Sequence, residues 1–161
     1  MAPPPTKPRA IDVFSGCGGL TTGLKTAGFN VIAAIEIAEK ARATYKLNHP
    51  EAILAGDDVR TVSATALLRR LNLRKGSLEL LAGCPPCQGF STIRRRNRIA
   101  PASDARNDLI DDFARLAVGL KPKLIMMENV PGLQEYEKFM TFITTLEALG
   151  YQIAYKILNV A

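Results

Sequence analysis

Short apolar runs alternate along this chain with stretches in which apolar residues recur every third or fourth position, and the two patterns predict different elements. Residues 10–14, Ala-Ile-Asp-Val-Phe, suit a first strand, and the glycine-rich turn at 15–19 leads into a helix with Leu20, Leu24 and Ala27 on one face. Residues 30–35 repeat the strand pattern and 38–47 the helix; a third strand is expected near 53–55 and a helix over 62–71. The runs at 77–82 and 123–127 are short enough to be central strands, buried on both faces as parallel sheets require. Between them Leu109, Ile110, Phe113, Leu116 and Ala117 fall at helical spacing. Phe139, Phe142, Ile143, Leu146 and Leu149 mark a last helix, Gly150 can stop it, and residues 151–160 can form a strand. Strands alternating with helices indicate an α/β fold with a doubly wound, mostly parallel sheet.

Composition narrows the picture only in part. Residues 1–9 read as a proline-rich, mobile leader, and 10–161 as one domain whose 47% hydrophobic content is enough for a buried core. The formal charge of +6 favours an anionic partner, a weak signal since many enzymes are this basic. No apolar run is long enough to span a bilayer, and Met1-Ala2-Pro3-Pro4-Pro5 lacks the charged and apolar regions of a secretory signal, so a cytosolic protein without membrane contact is expected. Three cysteines, an odd number, argue for reduced thiols and against a disulfide framework.

Three segments carry chemistry. Phe14-Ser15-Gly16-Cys17-Gly18-Gly19 lies between a strand and a helix, where an open α/β sheet binds ligands; its glycines admit close approach, and the helix start offers free N–H donors. Thr21 stands where a dinucleotide fingerprint would have its third glycine, and Glu36 ends the second strand, where a carboxylate can accept from both hydroxyls of a ribose. A nucleoside without a pyrophosphate is implied. Cys84-Pro85-Pro86-Cys87 follows the fourth strand. Zinc would need about four ligands, and neither a second cysteine pair nor a histidine pair exists; His49, the one histidine, reads as an exposed loop residue, and no metal site is expected. A redox pair, a structural cysteine and a nucleophile remain open from spacing alone. Glu128 closes the fifth apolar run, where partial desolvation would raise its pKa and make it a proton donor. If the fourth and fifth strands are neighbours, Cys87 and Glu128 share one cleft.

Together these segments resemble the cytosine-C5 DNA methyltransferase family. Residues 12–20, Asp-Val-Phe-Ser-Gly-Cys-Gly-Gly-Leu, are similar to its first motif, 83–91 to its Pro-Cys motif, and Glu128-Asn129-Val130 to its Glu-Asn-Val motif. Arg106-Asn107-Asp108-Leu109 and Lys121-Pro122-Lys123 resemble two further motifs, and Asp57-Asp58-Val59-Arg60 its Asp-Ile motif, with Asp58 in register. The resemblance covers residues 10 to 160 and implies a Rossmann-like S-adenosylmethionine-dependent methyltransferase sheet, C-terminally incomplete.

The resemblance also implies roles. S-adenosylmethionine would sit with Phe14 against the adenine, Gly16 and Gly18 near the methionine, Glu36 on the ribose, Ile37 stacked on the adenine and Asp58 on its exocyclic amine. Gly19, Leu20, Val59, Pro85 and Leu109 would complete that pocket. Cys87 would attack cytosine C6 as a thiolate, with Glu128 near N3; Pro86 would shape the loop and Asn129 fix the strand end. The covalent adduct is needed because cytosine C5 is a poor nucleophile, and the base must leave the duplex to reach it. Ser91 and the run Arg94, Arg95, Arg96 and Arg98 would face DNA phosphates, against the plainer reading of a solvated charge run. The implied setting is double-stranded DNA in the bacterial cytosol and nucleoid, as in restriction-modification. In the family an Asp-Tyr-Gly-x-Pro-Gln-x-Arg segment follows a strand like 157–160, so a second catalytic arginine, the last strand and a target-recognition domain are expected from a further segment or a second polypeptide. A cofactor-binding module without turnover and a tRNA cytosine methyltransferase are the alternative functions.

Overall fold

The computed structural model describes residues 6–86 and 109–158. Five apolar runs form five strands: β1 (Arg9–Val13), β2 (Asn30–Ile35), β3 (Ile53–Gly56), β4 (Leu80–Gly83) and β5 (Leu124–Met127). They make one parallel sheet in the order β3-β2-β1-β4-β5. The chain winds outward from β1 to β3, returns, and continues through β4 on the other side. The order reverses between β1 and β4, which opens a crevice at the carboxyl ends of those strands.

Alternation along β1 assigns the two faces. Ile11 and Val13 join Ala33, Ile35 and Leu81 in the larger core, under α3 (Ala64–Arg70), α4 (Leu109–Leu120) and α5 (Glu137–Ala148). Phe113, fully buried on α4, meets Phe142 of α5 with ring centroids 6.0 Å apart; burying such a side chain contributes roughly 1.5–3 kcal/mol. The opposite face is smaller: Ala10, Val31, Leu80 and Ala82 pack against Leu24 of α1 (Gly19–Thr26), while Ala34 packs with Tyr45 of α2 (Glu39–Asn48). Asp12 points to this second face, in the middle of an otherwise apolar strand.

Helix ends follow local chemistry. Ser63 caps α3 by accepting from the Ala66 N–H. As expected, Gly150 closes α5: its φ of 88° is the left-handed region, its N–H reaches Glu147 O at 2.9 Å, and the Tyr151 N–H reaches back to Leu146 O at 3.1 Å. None of the described helices is long and apolar enough to cross a membrane.

Three sequence expectations need correction. Residues 151–158 do not form a strand: a strand exists through its ladder, and among the described residues none pairs with this segment. β5, the outer strand among the described residues, is not buried on both faces: Ile125 and Met127 pack on the core, but Leu124 is 58% exposed and Met126 41%. His49 is not an exposed loop residue. It is 4% exposed, its ring lies 4.9 Å from that of Tyr45, and its Nε2 is 3.0 Å from Gly18 O.

Candidate active site

Parallel register aligns the site. Val13 pairs with Ile35 on one side and Gly83 on the other, and Gly83 pairs with Met127. The next residue on each strand therefore falls on a single rim: Phe14, Glu36, Cys84 and Glu128. Backbone bonds carry the alignment one step past the strands, from Ser15 N to Ile35 O (3.1 Å), Cys84 N to Val13 O (3.3 Å) and Glu128 N to Gly83 O (3.2 Å). Gly83 permits this closeness, since a Cβ there would stand 2.8 Å from Val13 O and 2.9 Å from the Phe113 ring.

At the first turn Phe14 adopts φ 62°, a strained value for an aromatic residue, and its half-buried ring lies 6.5 Å from that of Phe113. Gly16 and Gly18 also have positive φ, 54° and 97°. Glu36 is held to the turn: one carboxylate oxygen accepts from the Gly16 N–H at 2.8 Å and the other from the Ala38 N–H at 2.7 Å. Beside it Ile37 is 60% exposed. Gly16 and Gly19 have open space where a Cβ would point, and Leu20 is half-buried in the first turn of α1.

The rim continues to β3, after which Asp58 caps a short 3-10 turn, Val59–Thr61. Its carboxylate takes the Arg60 backbone N–H at 3.0 Å and the Arg60 guanidinium, the nearest oxygen at 2.6 Å, and that cation holds its carboxyl below the usual range. Val59 turns into the core, 3% exposed, so its contribution to a ligand is limited to its backbone. Leu109 opens α4, half-buried.

On the other side of β1, Pro85 is buried and Pro86 half-buried. Asn129 ties the two strand ends together, its Nδ2 donating to Pro85 O at 2.9 Å while its Oδ1 accepts from the Val130 N–H at 2.9 Å. Glu128 is exposed among the described residues, a correction to the expected partial burial: β5 has no neighbour on its outer side. Cys84 is the desolvated group of this pair; burial, followed by the charges of Glu128 and Asp12, pushes its thiol up to about 12. Cys87, Ser91, Arg94, Arg95, Arg96 and Arg98 lie outside the described residues.

Sequence reasoning passed over Asp12. It is fully buried, its Oδ2 accepts from the Thr21 hydroxyl at 2.6 Å, and its Oδ1 has no partner among the described residues; the Ser15 hydroxyl is likewise buried and unpartnered among them. The available signal was a carboxylate at an inward position of an apolar strand. Burial raises its carboxyl from 3.8 to about 6, against the lowering bond from Thr21. A raised carboxyl favours folding most when protonated, so this contribution is complete below 3.8 and is lost as pH rises through 6, a loss of about 3 kcal/mol. Asp12→Asn is therefore expected to be the more stable chain at about pH 8 and to lack the wild-type decline between about pH 4 and pH 6. Urea midpoints at both ends of that range check this, and a variant less stable at the upper end would contradict it.

Comparison with known proteins identifies the family. Residues 9–161 match the model of the C-5 cytosine-specific DNA methylase family. The type II methyltransferase M1.HphI of Haemophilus parahaemolyticus is 38% identical over 94% of the chain, and DNA (cytosine-5)-methyltransferase 1 of Rattus norvegicus 36% identical over 95%. The chain spans 41% of the length of the first and 10% of the second. Among solved structures, a prophage-encoded candidate DNA modification methyltransferase of E. coli superposes with a TM-score of 0.69 at 33% identity, covering 88% of this chain and 37% of that one. The Dnmt2 methyltransferase of S. pombe has the same fold, with a TM-score of 0.69 at 24% identity over 91% of this chain and 42% of its own. With a Rossmann-like parallel sheet, and a family match over nearly its whole length, the chain belongs to the C-5 cytosine-specific DNA methylases.

Proposed function

We propose that these residues are the cofactor-binding and catalytic part of a DNA (cytosine-5-)-methyltransferase, which methylates C5 of a cytosine turned out of duplex DNA in the cytosol. The observation that carries the reading is the single rim of Phe14, Glu36, Cys84 and Glu128 at four strand ends.

The residues present fit S-adenosylmethionine. Asp12 and Ser15 have buried polar atoms without partners, Gly16 and Gly19 open onto free space, and two carboxylates, Asp12 and Glu36, suit a cation. When bound, this cofactor supplies a methyl group activated by its sulfonium charge. Glu36 would accept from the ribose hydroxyls with the lone pairs left after its bonds to Gly16 and Ala38. Phe14 and Ile37 would hold the adenine and Asp58 its amine; Gly18, Leu20, Leu109, Pro85 and the Val59 backbone would line the remainder.

Toward the base, the Cys87 thiolate would form a bond to cytosine C6, moving the ring electrons toward N3. Glu128, placed near N3, would donate a hydrogen bond or proton there, leaving C5 electron-rich as the atom to be methylated; loss of the C5 proton to water and departure of the Cys87 thiolate from C6 would then restore the ring. Pro86 and Asn129 would keep the Cys87 loop beside Glu128. Ser91 and Arg94, Arg95, Arg96 and Arg98 would take backbone phosphates.

The test uses an enzyme completed with the C-terminal part of a type II relative. It is expected to move labelled methyl from S-adenosylmethionine to duplex DNA, and Glu36→Ala to weaken cofactor binding about tenfold or more, since a charge-assisted bond contributes roughly 1.5–3 kcal/mol. Methylation of tRNA but not DNA, or cofactor binding without transfer to either, would overturn the reading. Unchanged affinity in Glu36→Ala would remove that residue from the ribose.

A further inference from the structure

Three side chains at the end of α2 converge on the glycine turn, from 24 to 31 residues away in sequence. Tyr45, Asn48 and His49 stand at positions i, i+3 and i+4, one face of a helix. Asn48 Nδ2 donates to Cys17 O at 3.0 Å, His49 Nε2 meets Gly18 O at 3.0 Å, and the Tyr45 hydroxyl is 2.9 Å from that of Thr21. A carbonyl can only accept, so His49 donates from Nε2. An ammonium can only donate, so Nδ1, 3.3 Å from Lys25 Nζ, accepts. Both contacts are satisfied by one neutral tautomer, N–H at Nε2, and Lys25 is in turn paired with Glu51 at 2.5 Å. Thr21 has a single hydroxyl hydrogen and gives it to Asp12, so Tyr45 is the donor in its own bond to Thr21.

Packing repeats what the hydrogen bonds say. A Cβ on Gly18 would strike the His49 ring and crowd that of Tyr45. The imidazole thus lies close against the left-handed glycine that caps α1, whose own cap has no side-chain bond. Gly18 O also accepts from the Thr22 N–H at 2.9 Å and the Thr22 hydroxyl at 3.0 Å, so among the described residues His49 is the one long-range partner on a carbonyl otherwise bonded within α1. For a structural histidine alone, this burial would have no consequence at the rim; here it fixes the turn whose other side faces Glu36.

We propose that the last turn of α2 is a bracket that holds the glycine turn in its ligand-binding shape, with His49 as its positioning residue. The inference rests on the cofactor reading for its function and on the geometry alone for its mechanics. The bracket removes freedom that three glycines in four residues would otherwise give the turn, so the ligand does not have to order it on binding.

Amide exchange and ligand titration of the enzyme completed with the C-terminal part of a type II relative, both followed by NMR, test it. In His49→Leu, which keeps bulk and loses the donor, exchange at Gly16, Gly18 and Thr22 is expected to quicken about tenfold relative to strands β1 and β4, and affinity for S-adenosylhomocysteine to fall about tenfold. His49→Gln, whose amide can donate from near the position of Nε2, is expected to recover most of both effects. In the wild type the His49 nitrogen shifts should report the tautomer protonated at Nε2. A general loss of stability that quickens β1 and β4 equally, or a Gln variant no better than Leu, would overturn the bracket. So would a loosened turn with undiminished affinity. A wild-type chain that orders the turn as described but does not bind S-adenosylhomocysteine would overturn the cofactor reading instead, and with it the bracket's role in binding.

Discussion

Replacing Cys87 by serine in a completed enzyme is expected to lower methyl transfer roughly a thousandfold or more and to abolish covalent trapping on a 5-fluorocytosine duplex, while Cys84→Ser traps normally. The discrimination between the two cysteines of Cys84-Pro85-Pro86-Cys87 comes from the environment of the first. A nucleophilic cysteine must be available as thiolate, which requires a lowered pKa, a positive neighbour or access to solvent. Cys84 has the opposite setting. It is half-buried on the strand end, burial and two carboxylates, Glu128 and Asp12, push its thiol up to about 12, and its backbone N–H is spent on Val13 O. A thiol so placed stays protonated near neutral pH. Cys87 stands three residues on in sequence, past Pro85, whose carbonyl accepts from Asn129, and past Pro86. Gel-resolved adducts with each variant decide the matter, and trapping that follows Cys84 would overturn the assignment.

The strands and the rim were legible because local and tertiary demands agree there. Residues 30–35 read as a strand from their apolar run alone, and Glu36 was placed by the end of that run; both follow from the sheet's need for apolar central strands. His49 was not legible. Asn48-His49-Pro50 has the polar and proline signals of an exposed turn, and its burial depends on Gly18, 31 residues earlier, lacking a side chain. Glu128 failed differently: the apolar run before it was read correctly as a strand, but desolvation depends on what lies beside that strand, which no local pattern contains. Asp12 lay in plain view within a motif valued for its glycines. Its buried, unpartnered oxygen is a property of the packed face toward α1 and α2.

The same dependence on neighbours governs the outer edge of the sheet, and gives the largest expected change in behaviour. Beyond β5 the described chain forms a groove of about 880 Å³, its lining including Leu124 and Met126 of β5, Phe142 and Leu146 of α5, and Ile153 and Tyr155. The segment at 151–158 has the alternation of a strand, yet Tyr155, Ile157 and Leu158 are 60% to 71% exposed and it makes no ladder. The ring centroids of Phe139 and Tyr155 lie 5.8 Å apart, edge to face, and the Tyr151 hydroxyl donates to Pro122 O, so side chains tie this segment to α5 and to the chain just before β5. A parallel or antiparallel strand laid in this groove beside β5 would satisfy the backbone groups along its outer side and place apolar side chains next to those of β5. A polypeptide of these 161 residues made alone is therefore expected to self-associate through this edge and to be inactive. Co-expressed with a second polypeptide that begins at the family's Asp-Tyr-Gly segment, it should give a stable, soluble complex that methylates DNA. Size-exclusion chromatography with light scattering and a methyl-transfer assay read the two halves of the expectation. In the complex, amides of β5 should become protected by tenfold or more against exchange, because a ladder bond must open before each can exchange. A monodisperse, fully active monomer of the 161 residues would show that the uncovered edge of β5 requires no strand from elsewhere.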